Sequence, residues 1–419
     1  MDNEGFINRS KCSEEDFTRN RKLSFKDLLI SLMCFSRPSV QTELDRFFKA
    51  LSKSPDSFQT ISKSAFTQSR RKLKPEAFIE LNKSNLEYFN ENAPYKKDWK
   101  QKRVVAIDGT KINLPASEEL KNDFGYSRNQ HDETIIGALG SFAYDVCNEL
   151  VLDAQIIKRK GSELDLAVKH LEILSSQSDI LVFDRGYPSH WLIGLLMKEN
   201  YKFCFRLSTA WKDAVELVKS NNSDIDFTLK RRSNRDLSKI REYDIPLEIK
   251  GLRLVCIELS SGEKEVLLTN LTNRKNFTLN DLKQLYHMRW SVEEGFKSFK
   301  KSLHLEQFTG KTTIAIKQDF YAKVFMLNLS SMIRTQAINS NIKSTKNRKY
   351  KQQANKTQSL AKLKDFFLDI IYSSTPKVFI TKLIEILSKR LEIIRPGRSF
   401  KRPDTSIRRR HKGLTSKGI

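Results

Sequence analysis

The sequence predicts an α/β protein: a mixed sheet carrying its own helices, with a helical region before it and another after it. Three observations predict this. From Leu23 to about Asn92, apolar residues recur at helical spacing. From Lys102 the period changes, and three strands, a helix, a strand, a helix and a strand follow one another as far as Leu207. After Gln318 the spacing is helical again.

A chain of 419 residues holds two or three domains and at least one sizeable core. Its net charge of +25 calls for a polyanionic partner, nucleic acid before an anionic membrane surface. A membrane span needs about 18 consecutive apolar residues. The best attempt, Leu28–Phe35, is too short. Residues 1–20 are polar and acidic and read as a mobile leader without a signal-peptide core. Cys12, Cys34, Cys147, Cys204 and Cys256 are odd in number and scattered. They read as reduced thiols of a cytosolic protein, and no Cys/His spacing suits a structural zinc.

In the first region, Phe25–Met33 is a helix, Ser36-Arg-Pro-Ser breaks it, and Val40–Leu51 resumes with Leu44, Phe47, Phe48 and Leu51 on one side. Ser62 or Ser64 caps a short helix that Pro75 closes. That helix is expected to expose Gln68, Arg70, Arg71 and Lys72, like the basic third member of a helix-turn-helix reader of DNA. A plain helical bundle with a basic surface has the same pattern. In the sheet region the strands are Arg103–Leu114 with Asp108 at its end, Thr134–Tyr144, Leu150–Ile157, Asp179–Phe183 leading into Asp184, and Tyr201–Leu207. Ser162–Leu174 and His190–Glu199 are the helices. Residues 208–270 hold the basic loop Lys230-Arg-Arg-Ser-Asn-Arg and then Ile240–Ile249, Leu252–Leu259 and Glu265–Leu271, which alternate like strands of a β-rich insertion.

Thr278-Leu-Asn-Asp then caps a helix over Leu285–Lys301. Tyr286, Arg289, Glu293 and Lys300 fall within an arc of about 60° on it, with Lys297 on the same face and Glu294 turned away. One carboxylate among an aromatic hydroxyl, a guanidinium and ammoniums suits a surface that handles metal ions and phosphates. A solvated face with Arg289–Glu293 and Glu293–Lys297 ion pairs has the same spacing. Beyond it, Gln318–Thr335 is an apolar helix expected to pack on the sheet. Ser340–Ser359 reads as an exposed basic loop, Ser359–Ile371 and Lys377–Ile394 as amphipathic helices, and the stretch from Arg395 as a phosphate-seeking arm.

Asp108 and Asp184 follow apolar runs, so neighbouring strands can bring them to one edge of the sheet, with Glu293 as a third ligand from a packed helix. Three hard oxygen ligands with open positions suit Mg²⁺, and two such ions can drive phosphodiester chemistry without a protein nucleophile. That fits a chain with no evident Ser/His/Asp or Cys/His arrangement. Alone, Asp108-Gly is equally a turn and Asp184-Arg-Gly a loop start.

Tyr286, Arg289, Glu293 and Lys300 resemble the Y-(2)-R-(3)-E-(6)-K signature of the IS-four family of bacterial insertion-sequence transposases. Asp108-Gly-Thr and Asp184-Arg-Gly-Tyr resemble its first two catalytic segments. Thr269-Asn-Leu precedes the signature, and Glu306, Phe308 and Gly310 follow it. The resemblance covers about Lys102 to Lys311. It implies an RNase H-like mixed sheet with a β-rich insertion. It also implies a triad of Asp108, Asp184 and Glu293 binding two Mg²⁺, and cut-and-paste transposition through hairpin-ended intermediates. Tyr286, Arg289, Lys297 and Lys300, with Arg70 and Arg71 from the first region, would contact DNA. The flipped-base aromatic of hairpin-forming relatives has no assignable counterpart: Trp211 lies at the very start of the insertion and Trp290 is in the signature helix.

The domains expected are 1–100, helical and DNA-end-binding; 101–207, catalytic; 208–275, insertion; 276–335, catalytic with the Glu-bearing helix; and 336–419, basic, helical and dimerising. The partners expected are the transposon ends and target DNA, handled by a homodimer on paired ends in the cytoplasm, at the nucleoid, without a membrane. A transposase-derived DNA-binding regulator and another RNase H-like endonuclease are the alternatives.

Overall fold

The computed structural model describes residues 1–19, 21–35, 39–52, 61–94, 96–128, 130, 132–220, 222–231, 236–259, 262–289, 306–341, 350 and 352–394. They fall into two compact units. One comprises the described residues within Met1–Tyr95, Pro115–Glu119 and Ser298–Ile419, the other those within Lys96–Leu114 and Leu120–Lys297.

The first unit is helical. Its helices are α1 (Glu4–Ser10), α2 (Phe25–Cys34), α3 (Val40–Leu51), α4 (Lys63–Arg70) and α5 (Glu76–Asn92) from the start of the chain. Ser24 and Ser62 cap α2 and α4 by accepting from the Asp27 and Ala65 amides. The described residues 1–19, expected to be mobile, are instead tied to the helices that follow. Phe6 of α1 and Phe17 both meet Phe25 edge to face, and Arg9–Glu80 and Lys72–Asp16 ion pairs tie the segment down. Its acidic residues, which suggested solvation, are partly neutralised by basic residues downstream.

The apolar helix after the signature is α12 (Thr313–Ser340), capped by Thr312. It packs on α2 and α5 within this helical unit. The reason lies in its buried polar side chains, which have partners in the first helical region. Asn328 donates to Asn82 of α5 at 2.8 Å, and Gln318 donates to the carbonyls of Arg70 and Leu73. Two further helices, Lys356–Tyr372 and Pro376–Ser388, also pack on α12, and short strands Gln352–Ala354 and Leu391–Ile393 pair beside them. Of the expected 340–359 loop, residues 342–349 and 351 lie outside the described residues, as does everything from 395 onward. Gln352–Ala354 is a strand and a helix already starts at Lys356, so that part of the loop expectation is corrected.

The second unit holds the mixed sheet. Its strands are β1 (Arg103–Asn113), β2 (Tyr126–Arg128), β3 (Thr134–Asp145), β4 (Leu150–Lys158), β5 (Asp179–Phe183), β6 (Lys202–Arg206), β7 (Asp224–Lys230), β8 (Glu248–Glu258) and β9 (Lys264–Thr269). Their order is β2-β3-β1-β5-β6-β9-β8-β7, with β4 also on β3. β4, β3 and β1 are an antiparallel meander, and β5 and β6 run parallel to β1. A short helix, α6 (Glu118–Phe124), follows β1, and with α7 (Glu163–His170) and α8 (His190–Lys198) as connections this is the RNase H-like arrangement the resemblance implies. The core fills with Val105, Ile107, Leu181, Phe183, Phe203 and Phe205 from the sheet and Trp191, Leu192 and Leu195 from α8.

Residues 208–270 do not form a separate sheet. β9 pairs antiparallel with β6 at Cys204↔Thr269, Phe205↔Leu268 and Arg206↔Leu267, and β8 and β7 extend the same ladder. The Thr269-Asn-Leu motif makes this join: Asn270 accepts from the Phe203 amide and donates to the Tyr201 carbonyl, and Thr269 donates to the Phe203 carbonyl. One expectation here is corrected. Ile240 belongs to α10 (Leu237–Glu242), and α9 (Lys212–Lys219) and β7 precede it. Trp211 is partly buried against the sheet core at the start of α9.

Candidate functional site

Asp108 does not end its strand. β1 runs five residues further, to Asn113, and pairs with β3 throughout, Asp108 lying opposite Phe142. On its other side β1 runs parallel to β5 with Ile107 opposite Phe183. The next residues of this ladder are Asp108 and Asp184, so the register sets the two carboxylates side by side where β5 ends.

A helix over residues 279–289 (α11) covers them. Thr278 and Asp281 cap it reciprocally, the Asp281 amide donating to the Thr278 hydroxyl and the Asp281 carboxylate accepting from Thr278. Asp281 also pairs with Lys100 at 3.0 Å, and Leu282 and Leu285 are fully buried. That docking brings Tyr286 and Arg289, only 1% and 5% exposed, onto Asp184. The Tyr286 hydroxyl is 3.5 Å from Asp184 Oδ1 and accepts from Arg289 Nε at 2.9 Å. Arg289 Nη2 is 3.6 Å from the same Asp184 oxygen, and its guanidinium lies over the Tyr286 ring. These residues are therefore not a solvated face. The remaining signature calls, Glu293, Lys297 and Lys300, and Trp290 with them, lie outside the described residues.

The electrostatics set the site apart. Burial pushes Asp108 up to about 6; the Gly109 amide and Arg289 pull it down, and Asp184 and Glu163 push it further up. Burial also raises the Tyr286 hydroxyl. For Arg289 burial works against the charge, but Tyr286 and Asp184 outweigh it and the guanidinium is raised. Side-by-side carboxylates, one desolvated and both relying on one shared cation, suit a divalent metal that takes hard oxygen ligands. Asp108 and Asp184 would hold it. Among the described residues no group of three Asp, Glu, His or Cys side chains converges to hold an ion directly.

Sequence reasoning missed three residues near this site. Arg206 at the end of β6 pairs with buried Glu265 of β9 at 2.8 Å, and Glu265 feels the charges of Arg289 and Asp184. Glu163 starts α7 beside Gly109. Nothing in the local sequence marks Glu163 or Glu265, because only the sheet order brings them to Asp108 and Asp184. Tyr187, quoted within Asp184-Arg-Gly-Tyr without a role, is buried beside the same carboxylates.

The expected exposure of Arg70 is corrected. It is 4% exposed, and its guanidinium donates to Gln318, Thr309, the Ala315 carbonyl and Asp319. Phe66 is buried, and Arg70, four residues on, lies on the same side of α4. Arg71 and Gln68 remain exposed, and Lys72 is partly so.

The description "Transposase DDE domain" matches a family model over residues 99–329, more than half of the chain, and the chain belongs to this family. It is 22% identical over 290 residues to the transposase InsG for insertion sequence element IS4 of Escherichia coli (strain K12), across 64% of this chain and 60% of that protein. The chain thus spans about three fifths of the length of that relative. A cryo-EM structure of the piggyBac transposase synaptic complex with hairpin DNA aligns over 90% of this chain and 77% of that one, at 12% identity and a TM-score of 0.42. Among the described residues no helix is long and apolar enough to cross a membrane.

Proposed function

We propose that the chain is a transposase that binds the terminal inverted repeats of its own element, cleaves the DNA ends and joins them to target DNA. The observation that supports this best is the register that sets Asp108 beside Asp184 under Tyr286 and Arg289, within a DDE transposase domain. Asp108, Asp184 and Glu293 are the proposed metal ligands and catalytic residues. Magnesium, when bound at such a triad, stabilises charge on the attacking and leaving oxygens of a phosphodiester.

The chain's own groups do the rest. Arg289 holds Asp184 in place through Tyr286 and offers positive charge to a phosphate at the same point. Lys297 and Lys300 are proposed to contact transposon-end phosphates. The exposed Arg71 is proposed to contact DNA from α4. A net charge of +25 supports long-range attraction to the duplex. Two ends handled together imply a homodimer on paired DNA, acting at the nucleoid.

A plasmid carrying a marker between copies of the gene's flanking repeats tests this in cells. Native protein should excise the marker, and Asp184→Asn should not. Equal excision frequencies with the two proteins would overturn the proposed role of Asp184 in transposition.

A further inference from the structure

A side chain at Gly109, next to Asp108, would displace a neighbouring carboxyl. A Cβ there would lie 2.8 Å from the Glu163 carboxyl carbon and 3.1 Å from its Oε1. The Glu163 carboxyl is thus packed directly over the backbone that carries Asp108. The fold holds it there: Ser162 caps α7 by accepting from the Asp165 amide, which fixes Glu163 as the first helical residue. Asp165 is turned away and pairs with Lys239 at 3.2 Å. Glu163 has no ion pair among the described residues.

A second group points to the same place. Tyr187 is 2% exposed, and its hydroxyl has no hydrogen-bond partner among the described residues. Glu163 lies close beside that hydroxyl without reaching hydrogen-bonding geometry, and Asp108 and Asp184 act on it as well. A buried, unpartnered hydroxyl among three carboxylates is costly unless something polar joins them. Arg289 is a single charge and is already committed to Tyr286 and Asp184.

We propose that Glu163 is a further carboxylate of the catalytic centre, gripping through water the divalent cation that Asp108 and Asp184 ligate, with the Tyr187 hydroxyl bonded into the same water set. Contact through water follows because the described carboxylates do not converge on one point, and Mg²⁺ keeps several of its waters when bound to protein. It also explains why a strand centre carries glycine at 109: any larger residue would push the carboxyl away. This proposal rests on the metal-binding reading of Asp108 and Asp184.

The test is titration of the full chain with Mn²⁺, free Mn²⁺ being read by electron paramagnetic resonance, with thermal unfolding of each metal-free variant alongside. Asp184→Asn should lose the tightest site. Glu163→Gln should weaken it about tenfold, the size expected for a group acting on a metal through its neighbours, with the unfolding midpoint unchanged. Gly109→Ala, which keeps the Glu163 charge but displaces it, should weaken binding in the native background and add little to Glu163→Gln. Native affinity in Glu163→Gln, with the site lost in Asp184→Asn, would overturn this proposal alone. Native affinity in both variants would overturn the metal reading and this proposal with it. If Glu163→Gln does not fold, Gly109→Ala decides: native affinity there overturns the proposal.

Discussion

Arg70 offers a sharp test, because sequence and structure give it opposite roles. Replacing it with alanine removes four donors at once. It leaves Asp319, 4% exposed, buried without its cation, while Gln318 and Thr309 lose a partner. Breaking a buried ion pair from one side costs about 3–5 kcal/mol. That is at least a hundredfold in the folding equilibrium of the helical unit. Thr309 still donates to Asp319 and Lys323 lies near it, which favours the lower end of this range. Arg71→Ala, one residue on and exposed, should leave stability within about 0.5 kcal/mol. If Arg71 meets a phosphate, the variant should lower the slope of log affinity against log salt by about 0.9. Urea unfolding and salt-dependent DNA binding of the two variants separate the roles. Arg70→Ala with native stability and weakened DNA binding would refute the assignment.

Other consequences follow from the site. Between its ordinary value of 3.8 and about 6, the folded protein holds a proton on Asp108 that the unfolded chain releases, so Asp108 makes stability fall as pH rises through that window. In chelator, Asp108→Asn should therefore be more stable than native above pH 6, by roughly 2–3 kcal/mol, with the gap closing toward pH 4 in thermal melts; a gap that widened on acidification would contradict the burial of Asp108. Tyr286→Phe removes the hydroxyl between Arg289 and Asp184 and should slow strand cleavage about tenfold, roughly one hydrogen bond to a charged group, without weakening end binding in gel shifts. Lys300→Ala should reduce cleavage while leaving the melting profile intact, and normal cutting by this variant would remove it from the phosphate contacts. Deleting the first hundred residues is a poor probe of end recognition, since α5 packs on α12 and that unit would lose its core.

β1, β3, β5 and β6 were legible because each carries a continuous buried apolar run, and β4 because apolar residues alternate along it; the short β2, exposed or partly so throughout, has no such run and was not legible. Asp108 and Asp184 were legible for the same reason, as the polar residues where such runs end or are interrupted. What was not legible was set by partners distant in sequence. Arg70 has the spacing of an exposed basic helix, yet Asp319, about 250 positions away, turns it inward. α12 is apolar enough to face a sheet, but Asn328 and Gln318 match groups on α5 and at the end of α4. Ile240–Ile249 alternates like a strand, but Ile240 and Ile245 close a short helix and a turn against the core instead. Glu163 carries no local mark at all, and its place beside Gly109 emerges only when β4 and α7 fold back across the sheet.

The most direct test is cleavage of a labelled duplex carrying the DNA that flanks this gene, in Mg²⁺, by native protein and by Asp108→Asn, Asp184→Asn and Glu293→Gln in parallel. Native protein should cut at the inverted-repeat boundary, and all three variants should bind the repeat without cutting. Cutting by any variant at the native rate would remove that carboxylate from the catalytic centre. Repeat binding without any cleavage by the native protein would contradict the enzymatic reading and favour a DNA-binding regulator.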